Sequence, residues 1–322
     1  MSNQSALVRT IRAEHDQGTV AVGACPLCLS TQAEPFEGIS EGSKPVSYRL
    51  CTDCGLVYQS PRMSDAALQQ YYQAQYVAQH QRATGVSEKE LRVQAGRARH
   101  LVRLLRPQVE SIARHLDLGC SAGLLLEAVR GAYGCQSVGV EPAEAYRNYC
   151  AARGLTVLPD LYRLAEAGHD RFDLVSLAHV LEHLADPVGY LADLRNRWLQ
   201  PGSKLLVEVP NLYGHTSLET PHLVCFHSGT LRRTLAAAGY RVLRLIRHGE
   251  PRSRLIPLYL TAIAEPAANS VSRESVRTGA SGVRLGRRVG MAWHRLATRL
   301  APGWAWLPLP ELMTYPHHAI RS

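Results

Sequence analysis

The chain has 322 residues, of which 46% are hydrophobic and 20% charged, a composition typical of soluble globular proteins. No apolar run reaches the ~18 residues that a membrane-spanning helix needs. The first residues lack the apolar core of a signal peptide. We therefore expect a cytoplasmic protein with one large domain and a smaller one.

The net charge of +9 is unevenly distributed along the chain. Residues 1–240 contain 23 basic and 23 acidic side chains, whereas residues 241–322 contain 13 arginines and 4 glutamates. The main body is therefore neutral, and we expect no nucleic acid as a partner. The basic character belongs to the C-terminal part of the chain.

Two C-x-x-C pairs come first along the chain. They are formed by Cys25, Cys28, Cys51 and Cys54. Four thiolates at this spacing suit a tetrahedral Zn²⁺ ion, which is structural because no coordination position stays open. Two disulfides are the alternative, which a reducing cytosol disfavours. The remaining cysteines are expected to be buried small hydrophobes: Cys120, Cys135, Cys150 and Cys225.

A zinc ribbon is assigned to residues 22–60, after an N-terminal segment at 1–21. A helical connection follows at 61–110. Ser64 is the expected N-cap of a helix that contains Tyr71 and Tyr72, and residues 77–86 are interpreted as a linker. Ser87 to Arg106 has the apolar stripe of an amphipathic helix.

The stretch from His115 to Pro142 has the order strand, glycine turn, helix, strand and acid, which is typical of a nucleotide-binding βαβ unit. Gly119 and Gly123 allow a ligand to approach the backbone where a Cβ would block it. Glu141 ends the second strand, where it can accept hydrogen bonds from both ribose hydroxyls. Because the spacing is G-x-x-x-G, the turn alone also fits other α/β proteins.

Strand and helix patterns alternate up to about residue 265, which predicts a parallel sheet with helices on both faces. Phe172–Leu177 and Lys204–Val209 are the fourth and fifth predicted strands. Leu255–Ala264 is predicted as a seventh, antiparallel strand, although Pro257 weakens its beginning.

These motifs together resemble the class I S-adenosylmethionine (SAM) methyltransferases. The resemblance covers about residues 111–247, through DLGCSAG, VGVEP, DLVSLAHVLEHLADP and LQPGSKLLVEVPN. It implies a Rossmann-like α/β sheet of seven strands, the last antiparallel, in a SAM-binding domain at 111–265. The cysteine module is similar to that of bacterial sugar C-methyltransferases and related small-molecule enzymes, where it lies over the active-site mouth. Tyr71, Tyr72 and Tyr76 then face substrate or cofactor, or else only pack between the module and the main domain.

The resemblance also implies which residues contact SAM. The glycine turn faces its amino-acid part, Glu141 its ribose, and the residues after the third and fourth strands its adenine and methyl group. The full set is Asp117, Gly119, Ser121, Gly123, Glu141, Asp160, Leu161 and Ala178.

Methyl transfer to a hydroxyl or an acidic C–H also requires a base. His183 is the candidate, with Glu182 beside it and His179 four residues earlier; in a helix all three share one face. The Glu-His pair resembles residues implicated in base chemistry in sugar C-methyltransferases. In quinone-pathway O-methyltransferases a similar E-x-x-E-H run is linked to a divalent metal. The alternative is that His183 only fixes the loop.

The tail at 266–322 is basic and contains one more predicted helix. Its apolar stripe comprises Leu285, Val289, Trp293, Leu296 and Leu300, and five arginines lie off it. This pattern predicts contact with an anionic membrane surface or an anionic partner. The alternative is a helix docked on the catalytic domain with its arginines in solvent.

We therefore expect a SAM-dependent methyltransferase that carries out O- or C-methylation of a small molecule, sugar or glycan. From its basic tail, we also expect a peripheral location at the inner membrane face. A macromolecule-directed enzyme is the alternative, in which the zinc ribbon and the tail bind RNA or protein. Against it, residues 22–58 contain only Lys44 and Arg49 as basic residues. A third interpretation is a non-catalytic scaffold, and the intact glycine turn and Glu141 argue against that.

Overall fold

The computed structural model describes residues 18–41, 44–68, 70 and 86–311. Tyr71, Tyr72 and Tyr76 lie outside the described residues. The strands are β1 (Thr19–Val20), β2 (Ala33–Glu41), β3 (Lys44–Cys51), β4 (Val57–Gln59), β5 (Arg62–Met63), β6 (Arg114–Leu118), β7 (Gln136–Val140), β8 (Thr156–Leu158), β9 (Phe172–Ala178), β10 (Leu199–Pro210), β11 (Val224–Cys225), β12 (Tyr240–His248) and β13 (Tyr259–Pro266). The helices are α1 (Glu88–Leu105), α2 (Leu124–Tyr133), α3 (Glu144–Ala151), α4 (Leu161–Glu166), α5 (Pro187–Trp198), α6 (Ser228–Ala237), α7 (Val283–Leu300) and α8 (Pro302–Ala305).

A seven-stranded sheet forms the centre of the molecule, in the order β12-β13-β10-β9-β6-β7-β8. The strands from β6 to β10 are parallel, and β13 lies antiparallel between β10 and β12. Leu116, Val175 and Val207 are fully buried in it, as expected for a sheet covered on both faces. The predicted α/β sheet with an antiparallel last strand is confirmed.

The seventh strand begins at Tyr259, four residues later than the sequence predicts. Pro257 has no N–H to give to a ladder, and its carbonyl instead accepts a hydrogen bond from Asn211 Nδ2 at 2.7 Å. Asn211 N in turn donates to the Leu258 carbonyl at 2.8 Å. These contacts hold residues 257–258 as a loop against the end of β10.

The cysteine module is joined to the main domain by a shared sheet. Its strands form the order β11-β4-β3-β2, and β11 comes from the segment after β10. Val224 pairs with Tyr58 in this sheet. The Tyr48 hydroxyl reinforces the junction by donating to the Glu219 carbonyl at 2.7 Å. The module is therefore built into the wall of the main domain.

Two helix beginnings predicted from the sequence are confirmed. Ser87 Oγ accepts a hydrogen bond from Glu90 N at 3.2 Å and caps α1. Ser64 Oγ accepts one from Ala67 N, also at 3.2 Å. The predicted stripe of α1 is largely buried, at Ala95, Ala98, Val102 and Leu105.

The C-terminal helix α7 docks on the molecule through its small and polar side. Its buried residues are Val283, Arg287, His294 and Ala297. A Cβ on Gly290 would lie 2.2 Å from the Tyr213 carbonyl oxygen, so the close contact requires glycine there. The docked alternative is therefore observed, with the correction that Arg287 is buried instead of solvated. Among the described helices none has the length and apolarity to cross a bilayer.

Candidate functional site

The glycine turn after β6 has a left-handed backbone at three positions. Gly119, Ser121 and Gly123 all have positive φ, at 67°, 49° and 75°. A Cβ on Gly119 would lie 2.5 Å from Val180 Cγ2, so no other residue fits. Glu141 holds the turn, since its Oε2 accepts a hydrogen bond from Ser121 N at 3.0 Å. Burial raises the pKa of this carboxyl.

Asp117 lies beneath this turn and is only 2% exposed. Its Oδ1 accepts a hydrogen bond from Ser176 Oγ at 2.5 Å, which ties β6 to β9. Burial raises the pKa of Asp117 to about 7, although the Ser176 hydroxyl favours the charged form. The structure thus gives Asp117 a bracing contact between strands, and its contact with a cofactor stays a prediction.

The other residues assigned to the cofactor follow β8 and β9 at the same edge of the sheet. Asp160 is exposed, and its Oδ1 accepts from Arg163 N at 2.8 Å as the N-cap of α4. Leu161 and Ala178 are half-buried. Parallel strands present their carboxyl ends together, so these positions lie at the same edge of the sheet as the glycine turn.

Helix α1 also contacts the glycine turn, which the sequence did not indicate. Gln94 Nε2 donates to Ser121 Oγ at 3.0 Å. Glu90, one turn earlier, accepts a hydrogen bond from the Tyr146 hydroxyl. Both residues belong to an ordinary amphipathic pattern more than twenty positions before the glycine motif, so no local signal marks them.

The acidic and histidine residues after β9 converge without forming an α-helix. His179 has a left-handed backbone, with φ of 60°, and Leu181–His183 form a single 3-10 turn. The helix assumed from the sequence is therefore wrong, yet the side chains still meet. Glu182 Oε1 lies 3.3 Å from His179 Nδ1 and 3.8 Å from His183 Nε2.

Glu182 is a buried carboxylate that stays ionised. It is 1% exposed, and burial opposes its charge. His179, His183 and His222 outweigh burial and lower the pKa of Glu182 to about 2. For His179, burial and the Arg97 guanidinium disfavour the charged imidazole, but the carboxylates outweigh them and its pKa is raised.

A second buried carboxylate, Glu208, completes this network. It lies on β10 with no solvent exposure, and Arg97 Nε is 2.7 Å from its Oε1. His179 Nε2 is 3.4 Å from the same oxygen. His179 therefore lies between two carboxylates. The sequence offered one overlooked signal, a lone glutamate within the otherwise apolar strand LLVEV.

The segment after β10 forms the other wall of the site. Glu182, Asn211, His215 and His222 line a recess there, with apolar residues between them. Burial lowers the pKa of His215 to about 4 and that of His222 to about 3, so both imidazoles are neutral near pH 7.

Three residues at this recess also have the geometry of a cation site. Ligand atoms of Glu182, His183 and His222 all lie within 4.8 Å of one another. A carboxylate and two imidazoles are ligands that divalent transition metals accept.

The four cysteines of the N-terminal module meet at one point. All are fully buried, with Sγ distances of 3.6 Å from Cys25 to Cys54 and 3.5 Å from Cys28 to Cys51. Tetrahedral zinc with Zn–S bonds of ~2.3 Å sets its sulfurs ~3.8 Å apart, so the cluster fits structural zinc. None of the four forms a disulfide. The other four cysteines are also buried, as predicted.

The segment before α7 is bound to this cysteine cluster. Arg273 Nε donates to the Leu27 carbonyl at 3.1 Å, and Arg277 Nη2 donates to that of Cys28 at the same distance. Gly279 N donates to the Asp53 carbonyl at 2.6 Å. Residues 273–279 therefore hold the two cysteine loops in place.

Comparison with known proteins agrees with this fold. A family model described as "Methyltransferase domain" matches residues 89–245, just under half of the chain, and begins inside α1. Residues 89–245 are a methyltransferase domain. A solved methyltransferase of Burkholderia thailandensis, in complex with 1,6-didemethyltoxoflavin and S-adenosylhomocysteine, has a similar fold. Its TM-score is 0.52 at 16% identity, over 73% of this chain and all of that one.

Two curated relatives of this methyltransferase domain are ubiquinone biosynthesis O-methyltransferases. The Cereibacter sphaeroides protein is 39% identical over 110 residues, which is 30% of this chain and 41% of that protein. The Hahella chejuensis protein is 36% identical over 107 residues, with shares of 30% and 43%. The chain thus spans about two fifths of the length of these relatives.

Proposed function

We propose that the chain is a SAM-dependent methyltransferase that methylates a small-molecule acceptor, with an acceptor oxygen as the favoured target. The domain fold and the relatives named as O-methyltransferases support this proposal. The observation that carries it is the arrangement at one sheet edge. A left-handed glycine turn held by Glu141 lies against Val180, two residues before Glu182. Glu182 also lines the recess after β10, here called the acceptor recess.

SAM supplies the electrophilic methyl group and its own leaving group. The chain's residues orient the cofactor, through the turn from Gly119 to Gly123 and the Glu141 carboxylate. Binding two reactants in line accounts for much of the rate of such a transfer. We assign the remaining cofactor contacts to the positions after β8 and β9.

His183 is proposed as the base that takes the acceptor's proton. Its Nδ1 donates to the Pro221 carbonyl at 2.9 Å, and its Nε2 faces the buried Glu182 carboxylate. Glu182 would stabilise the imidazolium that forms, and His179 would keep Glu182 oriented. In this proposal His183 accepts the proton, while Glu182 and His179 stabilise and orient it.

A divalent cation held by Glu182, His183 and His222 is a second role for the same atoms. Such an ion would lower the pKa of an acceptor hydroxyl and replace the base. Measuring turnover after chelation and after return of Mg²⁺, which a cluster of four thiolates does not bind, separates the two roles. Full activity in the chelated enzyme supports the base, whereas loss and recovery supports the cation.

The zinc in the cysteine module is proposed to be structural, because four buried cysteine ligands leave no position for a substrate. We also propose that the protein acts at the inner face of a membrane, with the basic tail as the contact. A macromolecular acceptor is the weaker proposal, since the module has little basic character and is joined edge-on to the main domain.

The test is methyl transfer from labelled SAM to a panel of small hydroxylated and phenolic acceptors. Transfer that the His183→Ala substitution abolishes supports the proposal. If labelled methyl groups are incorporated only into RNA or protein, the small-molecule assignment is wrong.

A further inference from the structure

The outer side of α7 is apolar although the helix is already docked. Its stripe consists of Leu285, Val289, Trp293, Leu296 and Leu300, here called the outer stripe. Their exposed fractions are 64%, 60%, 45%, 48% and 71%. The residues that dock the helix lie on its opposite side. Trp293 Nε1 donates to the Leu255 carbonyl at 2.8 Å, so the stripe is covered in part at that position. The described part of the chain leaves the rest as an exposed apolar band, which marks an interaction site.

Arginines run beside the outer stripe along its whole length. Arg288, Arg295 and Arg299 are exposed, and their spacing of seven and four residues sets them on one edge of the helix. Residues 283–310 contain no acidic side chain. The band is therefore apolar in the middle and strongly cationic along one edge.

One more exposed tryptophan follows α7. Trp304 of α8 is 59% exposed, and the Arg254 guanidinium lies 5.6 Å from its ring centroid. Trp306 lies on the docked side instead, with its ring centroid 5.5 Å from that of His294. Tryptophan beside arginine is the combination that membrane interfaces favour, with the ring at headgroup depth and the cation near phosphate.

We propose that α7 and α8 form a docking surface for an anionic lipid bilayer, with α7 lying in the plane of the membrane. The inference refines the membrane contact of the proposed function and rests on it, but it does not depend on methyl transfer. A helix of 18 residues is about 27 Å long, so the outer stripe presents one flat band to the bilayer.

Charge favours lipid over a second copy of the chain. A second copy would bring another arginine-edged stripe, with no carboxylate on this surface to neutralise either. Anionic headgroups supply negative charge along the whole edge, and the acyl region accepts the leucines and tryptophans. A bilayer therefore satisfies both the charge and the apolarity of the band.

The docked side of α7 connects this surface to the acceptor recess. Arg287 Nη1 donates to the Leu212 carbonyl at 2.7 Å, and His294 donates from Nδ1 to that of Gly214 at 2.8 Å. Leu212 lines the recess. One helix diameter, about 10 Å, thus separates the bilayer from the acceptor wall. This position suits an acceptor that is held in or near the membrane.

Vesicle sedimentation of the full chain tests the proposal. We expect binding to vesicles of equal parts phosphatidylcholine and phosphatidylglycerol, and at least tenfold less to phosphatidylcholine alone. Replacing all three edge arginines by Gln should weaken anionic binding about a hundredfold. The double variant Leu285→Ser, Leu296→Ser should weaken it at least tenfold. Matched controls are Lys89→Gln on α1 and Tyr162→Ser on α4, which is 68% exposed.

Equal binding to the two vesicle types, or no binding, would overturn the proposal. So would a wild-type dimer that the double leucine variant dissociates in light scattering, because a second copy would then cover the outer stripe. SAM binding is measured on the same samples. If the wild type binds SAM but not vesicles, only the membrane inference is wrong. If the wild type does not bind SAM, the proposed function is wrong.

Discussion

His183 donates a hydrogen bond from Nδ1 to the carbonyl of Pro221, at 2.9 Å. A neutral imidazole with its proton on Nδ1 carries its lone pair on Nε2, and that atom lies 3.8 Å from Glu182 Oε1. A backbone carbonyl thus orients the ring, while a buried carboxylate is in place to stabilise the charged form. This arrangement supports the proposal that His183 is an oriented general base.

Replacing His183 should lower turnover and leave SAM binding nearly unchanged. In His183→Ala, kcat should fall by ~10²–10⁴, the range for removing a general base. In His183→Gln the side-chain amide can still donate to the Pro221 carbonyl but cannot take up a proton, so kcat should fall similarly. Steady-state kinetics and calorimetry with SAM measure the two effects.

Near-normal kcat in the Gln variant would make His183 a positioning residue. The base would then be sought at His179 or at His222. His227 also follows β10, but its Nδ1 already accepts a hydrogen bond from Gly229 N at 3.1 Å as the N-cap of α6.

The free energy of unfolding should decrease as the pH falls below about 6.5. His215 and His222 have folded-state pKa values of about 4 and 3, against 6.5 in an unfolded chain. At pH values between the folded-state and unfolded-state pKa, the unfolded chain binds protons that the folded chain does not, so acid favours unfolding. Each group contributes a slope of about 1.4 kcal/mol per pH unit. Urea denaturation should be measured at several pH values from 7 to 4.5. In His222→Phe the free energy of unfolding should change with pH less steeply, by about 1.4 kcal/mol per pH unit. An unchanged slope would mean that His222 titrates normally in the folded protein.

The cysteine cluster should contain one zinc per chain. Metal analysis of protein purified without added metal is expected to find it, since thiolate sites of this type bind zinc tightly. Cys51→Ser should give unstable or aggregated protein, whereas Cys135→Ser, a buried cysteine outside the cluster, should keep both metal and fold. A metal-free preparation with normal thermal stability would contradict the structural assignment.

Arg287 should be needed for stability although it lies on the basic tail. Its side chain is almost wholly buried, pairs with Glu37 at 3.0 Å, and donates to carbonyls of the loop after β10. Arg287→Gln should lower the free energy of unfolding by about 1–3 kcal/mol, because buried carbonyls lose their donor. The exposed Arg288→Gln on the same helix is the control and should have little effect. Equal effects of the two substitutions would show that the Arg287 contacts do not stabilise the fold.

The sheet and the two ligand motifs followed from sequence because their signals are local. The turn at Gly119 and Gly123 needs positive φ, and the paired cysteines have a spacing that chemistry dictates. A strand of the sheet is likewise predicted from an apolar run that ends in a glycine or an acidic residue. The antiparallel direction of the last strand followed from the resemblance that these motifs carry.

Other parts of the site depend on contacts between distant segments. Glu208 meets Arg97 across more than a hundred residues, and β11 pairs with β4 although it is only two residues long. The orientation of α7 was likewise out of reach. Its apolar stripe predicted a membrane or partner contact, with docking on the catalytic domain as the alternative. The structure shows a docked helix, which glycines facing Tyr213 and the hydrogen bonds of Arg287 hold against the core through a side other than the stripe.

Calorimetric titration of SAM into the wild type and Glu141→Ala tests the central claim most directly. The account predicts one SAM per chain in the wild type. Because a hydrogen bond to a charged group contributes ~1.5–3 kcal/mol, it also predicts an affinity roughly ten- to hundredfold weaker in the variant. A wild type that does not bind SAM, or a variant that binds it equally well, would contradict the account.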